Sequence, residues 1–189
     1  MNPRLPIAAV LLLTLAACNR APEASTSPSA PAKAPEEAAQ PPASAGVAQA
    51  TAEYPALALP TVDGGRYDLA EHRGKWVLVN FWATWCGPCL KEMPELSALH
   101  TMRDNIEVVG LAYEDIEPAQ MQAFLKAHPV SYPIAILDTY APPKDFATPR
   151  GLPVTYLIAP DGKVVKQFLG PVNARDAEAA VVAAGGKIG

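Results

Sequence analysis

Two cysteines and a glutamate stand at a spacing that can move electrons and protons together: Cys86, Cys89 and Glu92 in the run Trp85-Cys86-Gly87-Pro88-Cys89-Leu90-Lys91-Glu92. A C-x-x-C pair carried by a buried strand into the start of a helix is the arrangement of a dithiol redox centre. Unpaired N–H groups and the macrodipole at a helix N-terminus favour a thiolate, so Cys86 is the expected attacking sulfur, its pKa below the free value of about 8.5. Cys89, one turn further in, is expected to resolve the mixed disulfide. Gly87 and Pro88 permit the tight first turn and stiffen it. Glu92 shares the helical face of Cys89, where a carboxylate could take the inner thiol's proton. The competing reading is a solvated glutamate held by the helix dipole.

Other chemistries of a C-x-x-C pair fit less well. Covalent haem attachment needs histidine directly after the second cysteine, and Leu90 stands there. The chain's three cysteines are Cys18, Cys86 and Cys89, so no second pair completes a four-ligand zinc site. His72, His100 and His128 have no partner at ligand spacing, and no metal ligand or organic cofactor is expected; the redox group would be the Cys86–Cys89 disulfide itself. A purely structural cross-link is a weak alternative, because so short a loop removes little entropy. Copper transfer by the two thiolates stays open, without a methionine or histidine cluster in support. A net charge of −4 and no basic run leave no footprint for nucleic acid.

The elements that must position these residues follow from pattern. Residues 75–83 form a near-continuous apolar run after Gly74, read as a central strand buried on both faces. Ahead of it, 57–59 and 66–69 flank Asp63-Gly64-Gly65 as a short hairpin. A helix over 86–102 contains Pro94, which should kink it. Strand 106–113, a helix opened by Glu117-Pro118, a strand at 132–137, a proline-broken irregular stretch 138–151, a strand at 153–158, its hairpin partner 163–169 and a final helix capped by Asn173 complete the order. The alternation gives a mixed sheet with helices on both faces.

The N-terminus has a separate character. Arg4 precedes an apolar stretch, 5–17, too short for a permanent span of about 20 residues. Leu15-Ala16-Ala17-Cys18 resembles the bacterial lipobox, which implies a signal peptide over 1–17, cleavage before Cys18 and a lipid on its sulfur. The other reading is an ordinary secretory signal; either exports the chain. Asn19, where aspartate would retain a lipoprotein at the inner membrane, leans towards the outer membrane. Residues 18–53, rich in Ala, Pro, Ser and Glu, cannot bury enough surface to order and read as a disordered tether. The folded domain is expected over 54–189.

Val79-Asn80-Phe81-Trp82-Ala83-Thr84-Trp85-Cys86-Gly87-Pro88-Cys89, with Gly151-Leu152-Pro153-Val154-Thr155 downstream, resembles the thioredoxin superfamily. The hairpin, the added strand and helix over 106–128, Glu92 and Pro94, and the lipobox narrow the resemblance to TlpA/ResA-like, redoxin-type, membrane-anchored thiol:disulfide oxidoreductases. It implies an α/β thioredoxin-like fold: a central mixed β-sheet flanked by helices, with an N-terminal β-hairpin and an inserted strand-helix. It also implies a cis bond before Pro153 facing the cysteines, with the backbone of Leu152 open to an extended substrate. In thioredoxin an Asp six positions before the first cysteine serves the inner thiol; Asn80 stands there, and the resembled family uses the glutamate of C-x-x-C-x-x-E, here Glu92.

Trp85 is expected on an exposed docking rim, whereas Trp82 reads equally as core. Arg150 is either a cation that lowers the Cys86 pKa or a solvated loop charge. Ala141-Pro142-Pro143 interrupts a stretch where the resembled family commonly has a helix, so an irregular loop and a different substrate preference are expected there. The Gly-Pro dipeptide is that of thioredoxin, which points to a reductant. The expected function is an exported, lipid-anchored thiol:disulfide oxidoreductase on the periplasmic side of the envelope. It would reduce disulfides of envelope proteins, in cytochrome c maturation or related redox maintenance, and be re-reduced by a membrane thiol-reducing donor. An oxidase or isomerase, and a copper-delivery lipoprotein, are the alternatives.

Overall fold

The computed structural model describes residues 50–189. The signal segment, Cys18 and all but the end of the tether lie outside the described residues. Contacts with the folded core begin slightly before Tyr54: the Ala52 amide donates to the Asp145 carbonyl, and Thr51 Oγ1 accepts from the Ala147 amide. The last residues assigned to the tether therefore belong to the domain. Among the described residues no helix is long and apolar enough to cross a membrane.

A two-stranded hairpin, β1 (Ala58–Pro60) and β2 (Arg66–Asp68), leads through a 3-10 turn (Leu69–His72) into β3 (Trp76–Trp82). Then come α1 (Gly87–Met102), β4 (Ile106–Ala112), α2 (Pro118–Ala127), β5 (Ile134–Ile136), β6 (Val154–Ile158), β7 (Val164–Leu169) and α3 (Ala174–Ala183). The main sheet has the order β5-β4-β3-β6-β7. Strand β4 runs parallel to β3 and β5, while β6 is antiparallel to β3 and β7. Because β3 is central and covered on both faces, every one of its residues is buried.

Side chains alternate across β3. Trp76, Leu78 and Trp82 enter one core layer, and Val77, Val79 and Phe81 enter the other. The first layer receives Met93, Leu96 and Leu99 of α1, Met121 of α2, and Ala177 and Val181 of α3. The second is closed by Leu57, Tyr67 and Leu69 from the hairpin region and by Phe146. All three α-helices thus feed one layer, a correction to the expectation of helices on both faces. The cause lies in the stretch between β5 and β6, where Pro142, Pro143 and Pro149 remove amide donors that a helix needs. Phe146 anchors that stretch through aromatic contacts with Phe81 and Tyr156, at 5.7 and 5.3 Å between centroids.

Gly110 in β4 is required by packing. A Cβ there would fall 2.5 Å from Ile134 Cδ1 and 3.0 Å from Trp82 Nε1. That contact places Trp82 firmly in the core, where it is fully buried.

Candidate active site

Strand β3 ends at the sheet margin and hands the chain to a short turn. The Cys86 amide donates to the Ala83 carbonyl at 3.1 Å. Glu114, just past the end of β4, accepts from the Thr84 amide at 2.6 Å through one carboxylate oxygen and from the Thr84 hydroxyl at 2.9 Å through the other. The turn is thereby pinned two residues before the first cysteine. Sequence reasoning missed Glu114; its only signal was an acidic residue at the end of a buried strand neighbouring the cysteine-bearing one.

Cys86 is the N-cap of α1, with Pro88 in the first turn, where its missing N–H removes no helical hydrogen bond. Cys86 Sγ accepts from the Cys89 amide at 3.3 Å, the geometry that would stabilise a thiolate there. Cys86 and Cys89 are joined by a disulfide with Cα atoms 5.3 Å apart. Cys89 is fully enclosed and Cys86 retains 4% exposure, so Cys86 is the outer of the two sulfurs. Next to them Trp85 is 70% exposed, and a side chain added at Gly87 would meet nothing within 4 Å. The surface beside Cys86 is open and carries a large apolar ring.

Glu92 is not the solvated residue of the competing reading. It is buried, one turn beyond Cys89. Burial pushes its carboxyl up to about 7 from an ordinary 4.5, against the opposing pull of two donors. These are the Val172 amide on Oε2 and Asn80 Nδ2 on Oε1, each at 2.8 Å. A carboxyl that titrates near neutrality is suited to take and return a proton.

Asn80, expected only as a residue unable to titrate, is the donor that holds Glu92. Its amide also donates to Thr155 Oγ1 at 2.9 Å. Its Oδ1 is buried without a partner. An amide carries donor and acceptor on one rotatable group, so a flip would let Asn80 serve the protonated as well as the ionised glutamate. Thr155 lies two residues beyond Pro153, so this chain of bonds ties α1 and β3 to the proline segment.

The Leu152–Pro153 peptide bond is cis, as the resemblance implies. Pro153 is buried and Leu152 half-buried, touching both core layers. Arg150 is exposed on the loop before them and takes part in no ion pair among the described residues. The histidines are engaged elsewhere. His100 Nδ1 accepts from the Val108 amide and burial lowers its pKa, His72 pairs with Glu107, and His128 stacks on Phe124. Among the described residues no three His, Cys, Asp or Glu side chains cluster in a way that could hold a metal ion.

A cystine at a helix N-terminus, a buried carboxyl one turn deeper and a cis-proline heading the antiparallel neighbour of the central strand stand together in a thioredoxin-like fold, an arrangement in which one sulfur can attack a disulfide and the other resolve it. The chain belongs to the Redoxin family, whose model matches residues 48–183. It is 36% identical over 117 residues to the thiol-disulfide oxidoreductase ResA of Bacillus subtilis, covering 61% of this chain and 64% of that protein. It is 31% identical over 124 residues to the thioredoxin-like protein YneN of the same organism, covering 64% and 72% of the two chains. The chain spans just under two thirds of the length of the Bacillus ResA proteins it matches. Among solved structures it resembles a thiol:disulfide interchange protein of Chlorobium tepidum, with a TM-score of 0.59, 26% identity, and coverage of 74% of this chain and 99% of that one.

Proposed function

We propose that the protein is a thiol–disulfide oxidoreductase that works outside the cytoplasm as a reductant of polypeptide disulfides. The observation that carries the reading is the pairing of an outer and an inner cysteine with a buried carboxyl that titrates near 7. In the reduced state, the Cys86 thiolate attacks one sulfur of a substrate disulfide. A Cys86–substrate disulfide forms and one substrate thiolate leaves. Cys89 then gives its proton to ionised Glu92 and attacks Cys86 Sγ. The second substrate thiolate leaves, and the Cys86–Cys89 disulfide remains. Two electrons pass to the substrate; Glu92 releases the Cys89 proton to the second departing thiolate or to solvent, and the first departing thiolate takes its proton from solvent.

Regeneration requires a dithiol donor at the membrane, consistent with a lipid on Cys18 and a tether that would hold the domain near the bilayer on the periplasmic side. Asn19 after that cysteine supports an outer-membrane rather than an inner-membrane anchor. Substrates are envelope proteins whose cysteines must be kept reduced, including apocytochrome c in cytochrome c maturation, a reading supported by the likeness to ResA-type proteins. The dipeptide Gly87-Pro88, shared with thioredoxin, supports reduction over oxidation or isomerisation.

The test is trapping with Cys89→Ser. Without the resolving thiol, Cys86 should retain its partners as mixed disulfides that dissolve on adding dithiothreitol. Exported cysteine-containing proteins among them support the reading; recovery of none while the wild-type protein carries copper(I) would replace it with metal delivery.

A further inference from the structure

Among the described residues, Asn80 Oδ1, Trp82 Nε1 and the Tyr132 hydroxyl are buried without a hydrogen-bond partner. Tyr132 is 4% exposed and the other two side chains are fully enclosed. Leaving a buried polar atom unpaired is costly, and native folds rarely do so. Three such atoms in one place point to a ligand that pairs them.

Register and a missing side chain bring them together. Asn80 and Trp82, two residues apart on β3, face the same layer, and Gly110 of β4 is the sheet partner of Asn80. Gly110 carries no Cβ. The point where one would stand is 3.0 Å from Trp82 Nε1 and 3.1 Å from Tyr132 Cε2, which is two bonds from the hydroxyl oxygen. Ile134 Cδ1 closes the spot with an apolar wall. The Asn80 amide turns Nδ2 towards Glu92 and towards Thr155 on β6, which leaves Oδ1, on the opposite branch, facing away from Thr155 and towards the β4 side. One acceptor, one donor and one hydroxyl able to do either border the same spot. A water matches that set: it donates to Asn80 Oδ1, accepts from Trp82 Nε1 and bonds to Tyr132 in either sense, about the three bonds that buried waters usually make.

We propose that these three groups hold one ordered water beside Gly110, and that Tyr132 acts through it as a positioning residue for the Asn80 amide that carries Glu92. The proposal rests on the reading of Glu92 as acceptor of the Cys89 proton. While Glu92 is ionised, the water donates to Asn80 Oδ1 and keeps Nδ2 on the carboxylate. Once Glu92 holds the proton, the amide turns over. Oδ1 then accepts from the carboxyl and from the Thr155 hydroxyl, and the water accepts from Nδ2 while donating to Tyr132. The Tyr132 hydroxyl lets the water change partners without losing one, because it can accept as well as donate. Tyr132 also feels the charge concerned: burial and ionised Glu92 together push its phenol above the ordinary range. Glu92 itself is moved by burial and by its two donors, and by no charged neighbour.

The first part of the test uses the full-length oxidised protein, in which exchange plays no part. A high-resolution crystal structure should show a water roughly 2.7–3.2 Å from Asn80 Oδ1, Trp82 Nε1 and the Tyr132 oxygen. The Glu92 carboxyl, followed by carbon NMR, should titrate about 0.5 pH higher in Tyr132→Phe than in wild type, because the amide that favours the carboxylate is no longer fixed. Tyr67→Phe removes another buried, unpartnered hydroxyl, from the opposite core layer, and should leave that midpoint at the wild-type value. Reduced Tyr132→Phe should then attack a peptide disulfide about twofold more slowly at neutral pH and match wild type on the alkaline plateau. Loss of packing alone would lower the plateau instead. Absence of water density at that place, an unchanged midpoint in Tyr132→Phe, or an equal shift in Tyr67→Phe overturns the proposal. If Tyr132→Phe does not fold, the wild-type density decides. A midpoint that moves while the rate profile stays in place upholds the water and its hold on Asn80, and removes Glu92 as the proton acceptor.

Discussion

The side-chain amide of Asn80, in the middle of the central strand, donates to Glu92 Oε1 across 2.8 Å, inside a layer where both residues are buried. This bond links the strand that leads into the cysteine pair to the buried carboxyl one turn beyond it. It also sets Glu92 apart from an ordinary surface glutamate in its titration and in what its removal should do.

Replacing the carboxyl should slow exchange in a pH-dependent way. With ionised Glu92 as the proposed proton acceptor, reduction of a peptide disulfide should accelerate as pH rises through about 7, in addition to any dependence from Cys86. Glu92→Gln should lose that limb and be slower by about 10²-fold at neutral pH. Stopped-flow rates across pH check this, and a rate profile of the same shape as wild type would contradict it.

The same group makes stability depend on pH. The carboxyl's pKa is about 7 when folded against an ordinary 4.5, so the folded state holds the proton more tightly. Its contribution is fully present below about pH 4.5 and is lost as pH rises through about 7, a change of about 3 kcal/mol at most. Urea midpoints of the oxidised protein measured across that window should fall with pH, and Glu92→Gln should flatten the fall.

Asn80→Ala removes one of the two donors to Glu92 and the bond to Thr155. The carboxyl should titrate higher than in wild type, and stability at neutral pH should drop by about 1–3 kcal/mol. Asn80→Asp would instead create two facing carboxyls that titrate as a pair, one of them raised. Carboxyl chemical shifts followed by NMR distinguish these outcomes.

Glu114 should control the turn before Cys86 through its two bonds to Thr84. In Glu114→Ala the Thr84 amide should exchange with solvent about ten- to a hundredfold faster, while amides in the middle of β3 change little. Uniform acceleration throughout the domain would instead report global loss of stability.

What the sequence made legible was local. The unbroken apolar run of β3, the cysteine spacing, Pro118 at the first turn of α2, and Asn173, which caps α3 by accepting from the Asp176 amide, each encode their element within a few residues. Glu92's face followed from helical periodicity alone. Its partners did not, because Val172 lies 80 residues away and Thr155 reaches the carboxyl only through Asn80. Which face of the sheet each helix covers was likewise set by crossover geometry and by the prolines after β5, and strand-helix alternation does not record that. Glu114 escaped for the same reason: its hold on Thr84 depends on the parallel pairing of β3 and β4, whose last partners are Trp82 and Ala112.

The reduction potential of the Cys86/Cys89 couple decides the direction of electron flow. Equilibration with glutathione or dithiothreitol, read by thiol alkylation, should give a two-electron midpoint close to the roughly −270 mV of thioredoxin. A midpoint close to the roughly −120 mV of DsbA would contradict the reductant role and make the protein an oxidant of its substrates.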